Sequence, residues 1–109
     1  MQLYWSGPAS VTDAQGNLMR MEPPPKDIAR LVIHNQTLAP IRILASHRDW
    51  AGHKELVRIG ADQTRTVDVE RGVQLSAASD RAGVQPGWPN YYAGFGGYGQ
   101  NSKIIIYWG

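Results

Sequence analysis

The chain has 109 residues, enough for one hydrophobic core and too few for two. Apolar residues make up 42% and charged residues 18%, which excludes a disordered polymer, and twelve Gly with seven Pro work against long helices. Eleven Lys and Arg against nine Asp and Glu leave a net charge of +2 with the signs interspersed, so no clustered basic footprint for nucleic acid is present, and the lack of cysteine excludes disulfides and thiolate chemistry.

In chain order, residues 3–11 and 18–21 read as two extended segments around Asp13-Ala14-Gln15-Gly16-Asn17, where Gly16 supplies the positive φ of a hairpin loop. Pro23, Pro24 and Pro25 then stiffen the backbone and remove three amide donors. The expected organisation is an N-terminal β-hairpin arm with a Pro-rich spacer over 1–25, followed by a β-sandwich domain over 26–109. The N-terminus lacks the basic start and apolar stretch of a signal peptide, which predicts synthesis in the cytoplasm. No apolar run approaches the roughly 20 residues that span a bilayer as a helix.

The body opens with Ala29, Leu31 and Ile33 alternating with Arg30, Val32 and His34, the period-2 signature of a strand. Ile41, Ile43 and Ala45 repeat the pattern, and the two segments are expected to be antiparallel neighbours. Residues 55–59, 64–69 and 73–78 add three strands. Lys103-Ile104-Ile105-Ile106-Tyr107-Trp108 is apolar on both faces and belongs inside a sheet. The expected fold class is all-β, a small antiparallel β-sandwich or jelly roll, with Leu31, Ile33, Ile41, Ile43, Val57, Ile59, Val67, Val69, Val73, Leu75, Ile104 and Ile106 as its core.

Residues 83–102 depart from this rhythm. They hold six Gly and five aromatic residues and no charge. A loop of this length in a compact domain is usually functional or disordered, and five large rings argue against a solvated linker. Trp88, Tyr91, Tyr92, Phe95 and Tyr98, with Tyr4 and Trp5 of the arm, are therefore the candidate interface or ligand-binding residues.

Catalytic and metal signatures are lacking. His34, His47, Asp49 and His53 have no zinc-enzyme spacing, and Ser46 or Ser79 with His47 and Asp80 makes a triad on paper without a nucleophile elbow. Neither a metal nor another cofactor is assigned, and an enzyme is not expected. Asn35-Gln36-Thr37 matches a glycosylation acceptor, which a β-turn explains equally.

The Cys-free length, the Asp13 to Asn17 turn and the proline spacer resemble, as an architecture, the small β-sandwich accessory proteins of tailed-phage virions. The resemblance implies a non-enzymatic head-decoration, cement or tail-associated subunit that binds neighbouring protein subunits through arm and loop, and a place in the virion. An alternative rests on Leu31-Val32-Ile33-His34-Asn35-Gln36-Thr37 and Ile104-Ile105-Ile106-Tyr107-Trp108-Gly109, which resemble actinoporin and aegerolysin sandwiches. That resemblance implies a glycan- or lipid-headgroup-binding module using the same aromatic loop. The chain lacks the amphipathic membrane-inserting segment of those families, so pore formation is not implied.

Overall fold

The computed structural model of the protein describes residues 1–6, 9–10, 15–18, 28–70, 72–87 and 102–108. Its strands are β1 (Leu3–Trp5), β2 (Ala9–Ser10), β3 (Ile28–Asn35), β4 (Ile41–Ser46), β5 (Lys54–Ile59), β6 (Thr64–Glu70), β7 (Gln74–Ser79) and β8 (Ser102–Trp108). One sheet runs β1-β8-β3-β6, with β2 also paired to β8; the other runs β5-β4-β7. The molecule is an all-β sandwich.

Alternation produces the core. On β3 the odd residues Ala29, Leu31 and Ile33 are buried, and on β4 Ile41, Ile43 and Ala45 are buried; they meet Ile59, Val69, Val73, Leu75, Ile104 and Ile106 between the sheets. At about 25 cal/mol per Å² of apolar surface removed from water, each such aliphatic side chain contributes on the order of 2 kcal/mol. Val57 and Val67 are only partly buried because β5 and β6 are edge strands and shield them from one side alone. The apolar strand β8 lies between β1 and β3, as its two apolar faces require.

Two expectations about connectivity are corrected. β3 and β4 are not neighbours: β3 pairs with β6 and β8, and β4 with β5 and β7. The reason is Asn35, fully buried at the end of β3. Its Nδ2 lies 2.8, 3.0 and 3.0 Å from the carbonyl oxygens of Ala39, Ile59 and Gly60. Its Oδ1 accepts from the Thr37 N–H at 2.9 Å and the Thr37 hydroxyl at 2.6 Å. These bonds satisfy the main chain where it crosses between sheets, so the segment turns across the core instead of folding back alongside. The same burial removes Asn35 as a glycosylation acceptor in the folded chain.

The sandwich is also not antiparallel throughout, since β3 and β8 run parallel from Leu31↔Ser102 to Asn35↔Ile106. The arm and spacer expected over residues 1–25 lie partly outside the described residues, and their described start joins the larger sheet. β1 pairs antiparallel with β8 from Leu3↔Trp108 to Trp5↔Ile106, and Leu3 is 1% exposed within the core. β2 pairs with β8 further along, at Ala9↔Lys103 and Ser10↔Ser102. Between the two, the Ser6 hydroxyl accepts from Ile105 N–H at 2.7 Å while Ser6 N–H donates to the Ile105 carbonyl at 2.8 Å. The expected hairpin falls partly outside the described residues; of its turn, Gly16 has the anticipated positive φ, +84°.

Residues 83–87 join the two sheets along one side. Gln85 bridges Gln2, with Leu3 N–H donating to the Gln85 carbonyl at 3.2 Å and Gln85 N–H to the Met1 carbonyl at 2.9 Å. Gly87 and Ala77 exchange main-chain bonds of 3.0 and 2.9 Å. The seam passes so close to β1 that a Cβ on Gly87 would sit 2.5 Å from the Leu3 carbonyl oxygen, which only glycine avoids.

Candidate functional site

The outer face of the larger sheet is built by the residues that alternate with its core positions. β8 turns Lys103, Ile105 and Tyr107 outward, β3 turns Arg30, Val32 and His34, and β1 turns Tyr4. Register places Tyr4 opposite Tyr107, Ile105 beside His34 and Lys103 beside Val32. The two tyrosine rings stack with centroids 5.8 Å apart and an interplanar angle of 22°. They are 41% and 38% exposed, so much of this aromatic surface faces solvent. Half-buried Ile105 and Val32 continue the apolar strip inward from the pair.

Polar groups border the strip. His34 Nε2 lies 2.8 Å from Asp62 Oδ1. Arg30 forms a two-pronged pair with Asp68, Nε to Oδ1 at 2.8 Å and Nη2 to Oδ2 at 3.0 Å. That hydrogen-bonded guanidinium holds the Asp68 carboxyl below the usual carboxylate range, against a small opposing effect of desolvation. The outer face of the smaller sheet is a charge network: Asp80 lies 3.2 Å from Arg42 and 3.5 Å from Arg58, and Arg58 also reaches Glu55 at 3.5 Å.

The two candidate residues of the N-terminal segment separate. Tyr4 stands on the open face, whereas Trp5, one residue on, turns inward and packs on the core. Trp108 and Trp50 pack there too, with Arg81 4.8 Å from the Trp108 ring and Lys54 4.4 Å from the Trp50 ring. The indole N–H groups of Trp5 and Trp108 are buried with no hydrogen-bond partner among the described residues. Tyr107, absent from the sequence-based site, was legible as the outward partner of buried Ile106 and half-buried Trp108 in an alternating strand. Trp88, Tyr91, Tyr92, Phe95 and Tyr98 lie outside the described residues.

The paper triad is not assembled. Ile41 pairs with Ser79 at one end of β4 and Ser46 with Gln74 at the other, so His47 and Asp80 stand at opposite ends of the strand pair, ~23 Å apart along it. His47 instead packs on Trp50 at 5.5 Å, and its Nδ1 accepts from the Asp49 N–H at 3.1 Å. No three His, Cys, Asp or Glu side chains gather among the described residues in a way that could hold a metal ion. Among those residues no helix is long and apolar enough to cross a membrane.

Comparison with protein-family models, with curated proteins and with solved structures finds no match for this chain.

Proposed function

We propose that the protein is a non-enzymatic assembly module whose sandwich presents an aromatic surface to neighbouring protein subunits, in the manner of a virion accessory protein (capsid decoration, cement or tail-associated). The observation that carries this reading is the solvent-facing Tyr4–Tyr107 stack. Tyrosines are enriched at interface centres because each ring offers apolar area at low entropic cost and a hydroxyl that can still bond. The other large rings among the described residues pack inward; these two supply contact area without being needed to fill the core. Trp88, Tyr91, Tyr92, Phe95 and Tyr98 are included in this reading on composition alone, since an uncharged Gly-rich backbone can follow a partner closely.

The test starts with the mass of the native complex that contains the chain, followed by the Tyr4→Ala/Tyr107→Ala double variant. Loss of the complex by the double variant, with its melting temperature close to that of the parent, supports the reading; a native mass equal to that of the chain alone rejects it. The same exposed stack favours one alternative, a glycan or lipid headgroup seated on the rings, since phenol faces stack on pyranose rings. Glycan-array and liposome binding by the isolated chain distinguish the two.

A further inference from the structure

β6 is the outermost strand of the larger sheet, and its far edge has no main-chain strand partner among the described residues. Its pairing with β3 is continuous from Ile28↔Glu70 to His34↔Thr64, with no bulge and no proline. β5, the edge of the other sheet on the same side, instead has a register break opposite Ile43 and Leu44. A regular, uncovered edge is a template for another strand.

The groups this edge offers follow from the ladder. Asn35 N–H donates to the Gln63 carbonyl, so the odd residues Arg65, Val67 and Val69 turn their main-chain groups toward β3. Antiparallel alternation then turns those of Thr64, Thr66, Asp68 and Glu70 to the free edge. The Thr64 carbonyl accepts the Arg65 guanidinium at 3.1 Å, and the Glu70 carbonyl accepts Val73 N–H at 3.3 Å. Among the described residues, Thr66 and Asp68 keep both their N–H and their C=O unengaged at this edge.

We propose that β6 pairs antiparallel with β6 of a second copy of this chain, about a two-fold axis at Val67. In that register the N–H and C=O of Thr66 meet the C=O and N–H of Asp68 of the second copy, and symmetry repeats the exchange, giving four main-chain bonds from the four unengaged groups of each copy. The side chains agree. Thr66 faces Asp68, Thr64 faces Glu70, and half-buried Val67 faces its own copy, so no like charges stand opposite. The neighbouring registers that keep each side chain on its own face are worse. An axis at Asp68 sets two Asp68 carboxylates against each other, and one at Thr66 uses the Thr64 carbonyl already bonded to Arg65 while bringing Asp62 toward Glu70. Arg30, bonded to both Asp68 oxygens, counters the acidic charge at this edge. The pairing would continue the larger sheet across a symmetric dimer. It goes beyond the assembly reading above, because it uses a different surface and stands whichever way the tyrosine face is resolved.

The test is self-association of the full-length chain by sedimentation equilibrium, with amide exchange read as a function of concentration. A monomer–dimer equilibrium is expected, in which the Thr66 and Asp68 amides become slower to exchange as the dimer forms. Thr66→Asp, an exposed change that sets carboxylates against Asp68 of the second copy, should weaken the dimer roughly ten-fold or more. Thr66→Lys, which opposes Asp68 with a cation, should keep or tighten it. Thr66→Pro removes an outward N–H without touching the β3 ladder and should also weaken it; melting curves check that each variant folds. The Tyr4→Ala/Tyr107→Ala variant should leave this dimer unchanged, which separates its fate from that of the aromatic surface. A chain that stays monomeric up to about 1 mM, a dimer indifferent to Thr66→Asp, or one without protection at Thr66 and Asp68, overturns the proposal.

Discussion

The two sides of the sandwich are closed by different means. On one, residues 83–87 are hydrogen-bonded to the start of β1 and to β7, so main chain joins the sheets. On the other, β5 and β6 are linked through the turn of residues 60–63, where Gln63 N–H donates to the Gly60 carbonyl at 3.1 Å and His34 reaches Asp62. Main-chain closure satisfies edge donors and acceptors but demands close approach and leaves no room for side chains. A local turn, closed by its own main-chain bond and by side chains, tolerates variation and leaves a strand edge exposed.

That contrast can be broken most forcefully at Leu3, which lies in the core beside the seam. Leu3→Ala is expected to cost about 3 kcal/mol through lost burial and a residual cavity, measurable by urea denaturation. A loss below about 1 kcal/mol would return the N-terminal segment to the status of a detachable arm. Next, two glycines give a matched pair. A Cβ at Gly87 meets the Leu3 main chain, while one at Gly60 would lie 2.7 Å from Oε1 of the Gln63 side chain, which can swing away. Gly87→Ala should cost roughly 2 kcal/mol or more and Gly60→Ala under about 1 kcal/mol; equal costs would remove the distinction between the sides.

Val67→Ala, on the open side, removes a half-buried side chain and should destabilise the monomer by about 1 kcal/mol, less than Leu3→Ala at a comparable site on the closed side. The smallest effect belongs to Asp68. Arg30 depresses its folded-state pKa, so it adds stability above the ordinary carboxylate range, and this stability disappears as pH falls through the depressed value. Because the carboxylate side chain is 45% exposed, solvent screening keeps the contribution within about 0.5 kcal/mol. Asp68→Asn should therefore lower the denaturation midpoint slightly at neutral pH and not at strongly acid pH. A loss that is the same at both would show that the ion pair is irrelevant to stability.

Leu31, Ile33, Ile41, Ile43, Ile104 and Ile106 were readable as core because strand geometry turns every second side chain to one face, whatever the partner strand. Tyr4 and Trp5 show the limit on the site. Both were picked out as aromatic, but which of two successive rings faces solvent depends on the face of β1 that meets the core, and that is set by pairing with β8. Asn35 looked like a turn residue or a glycosylation acceptor. Its burial depends on Ile59 and Gly60 arriving from more than twenty positions away.

The all-β fold, the positions of β3 to β8 and the side chains that alternate into the core could be read from local periodicity, turn chemistry and composition. Long-range pairing alone puts β3 and β4 in opposite sheets, sets β8 parallel to β3 and brings β1 into the core. It also decides which aromatic rings stand on the surface. Alternating strands carry the same pattern in either sheet and with either neighbour, so their order is chosen by long-range main-chain hydrogen bonds, by the satisfied burial of Asn35 and by the space that Gly87 leaves for Leu3.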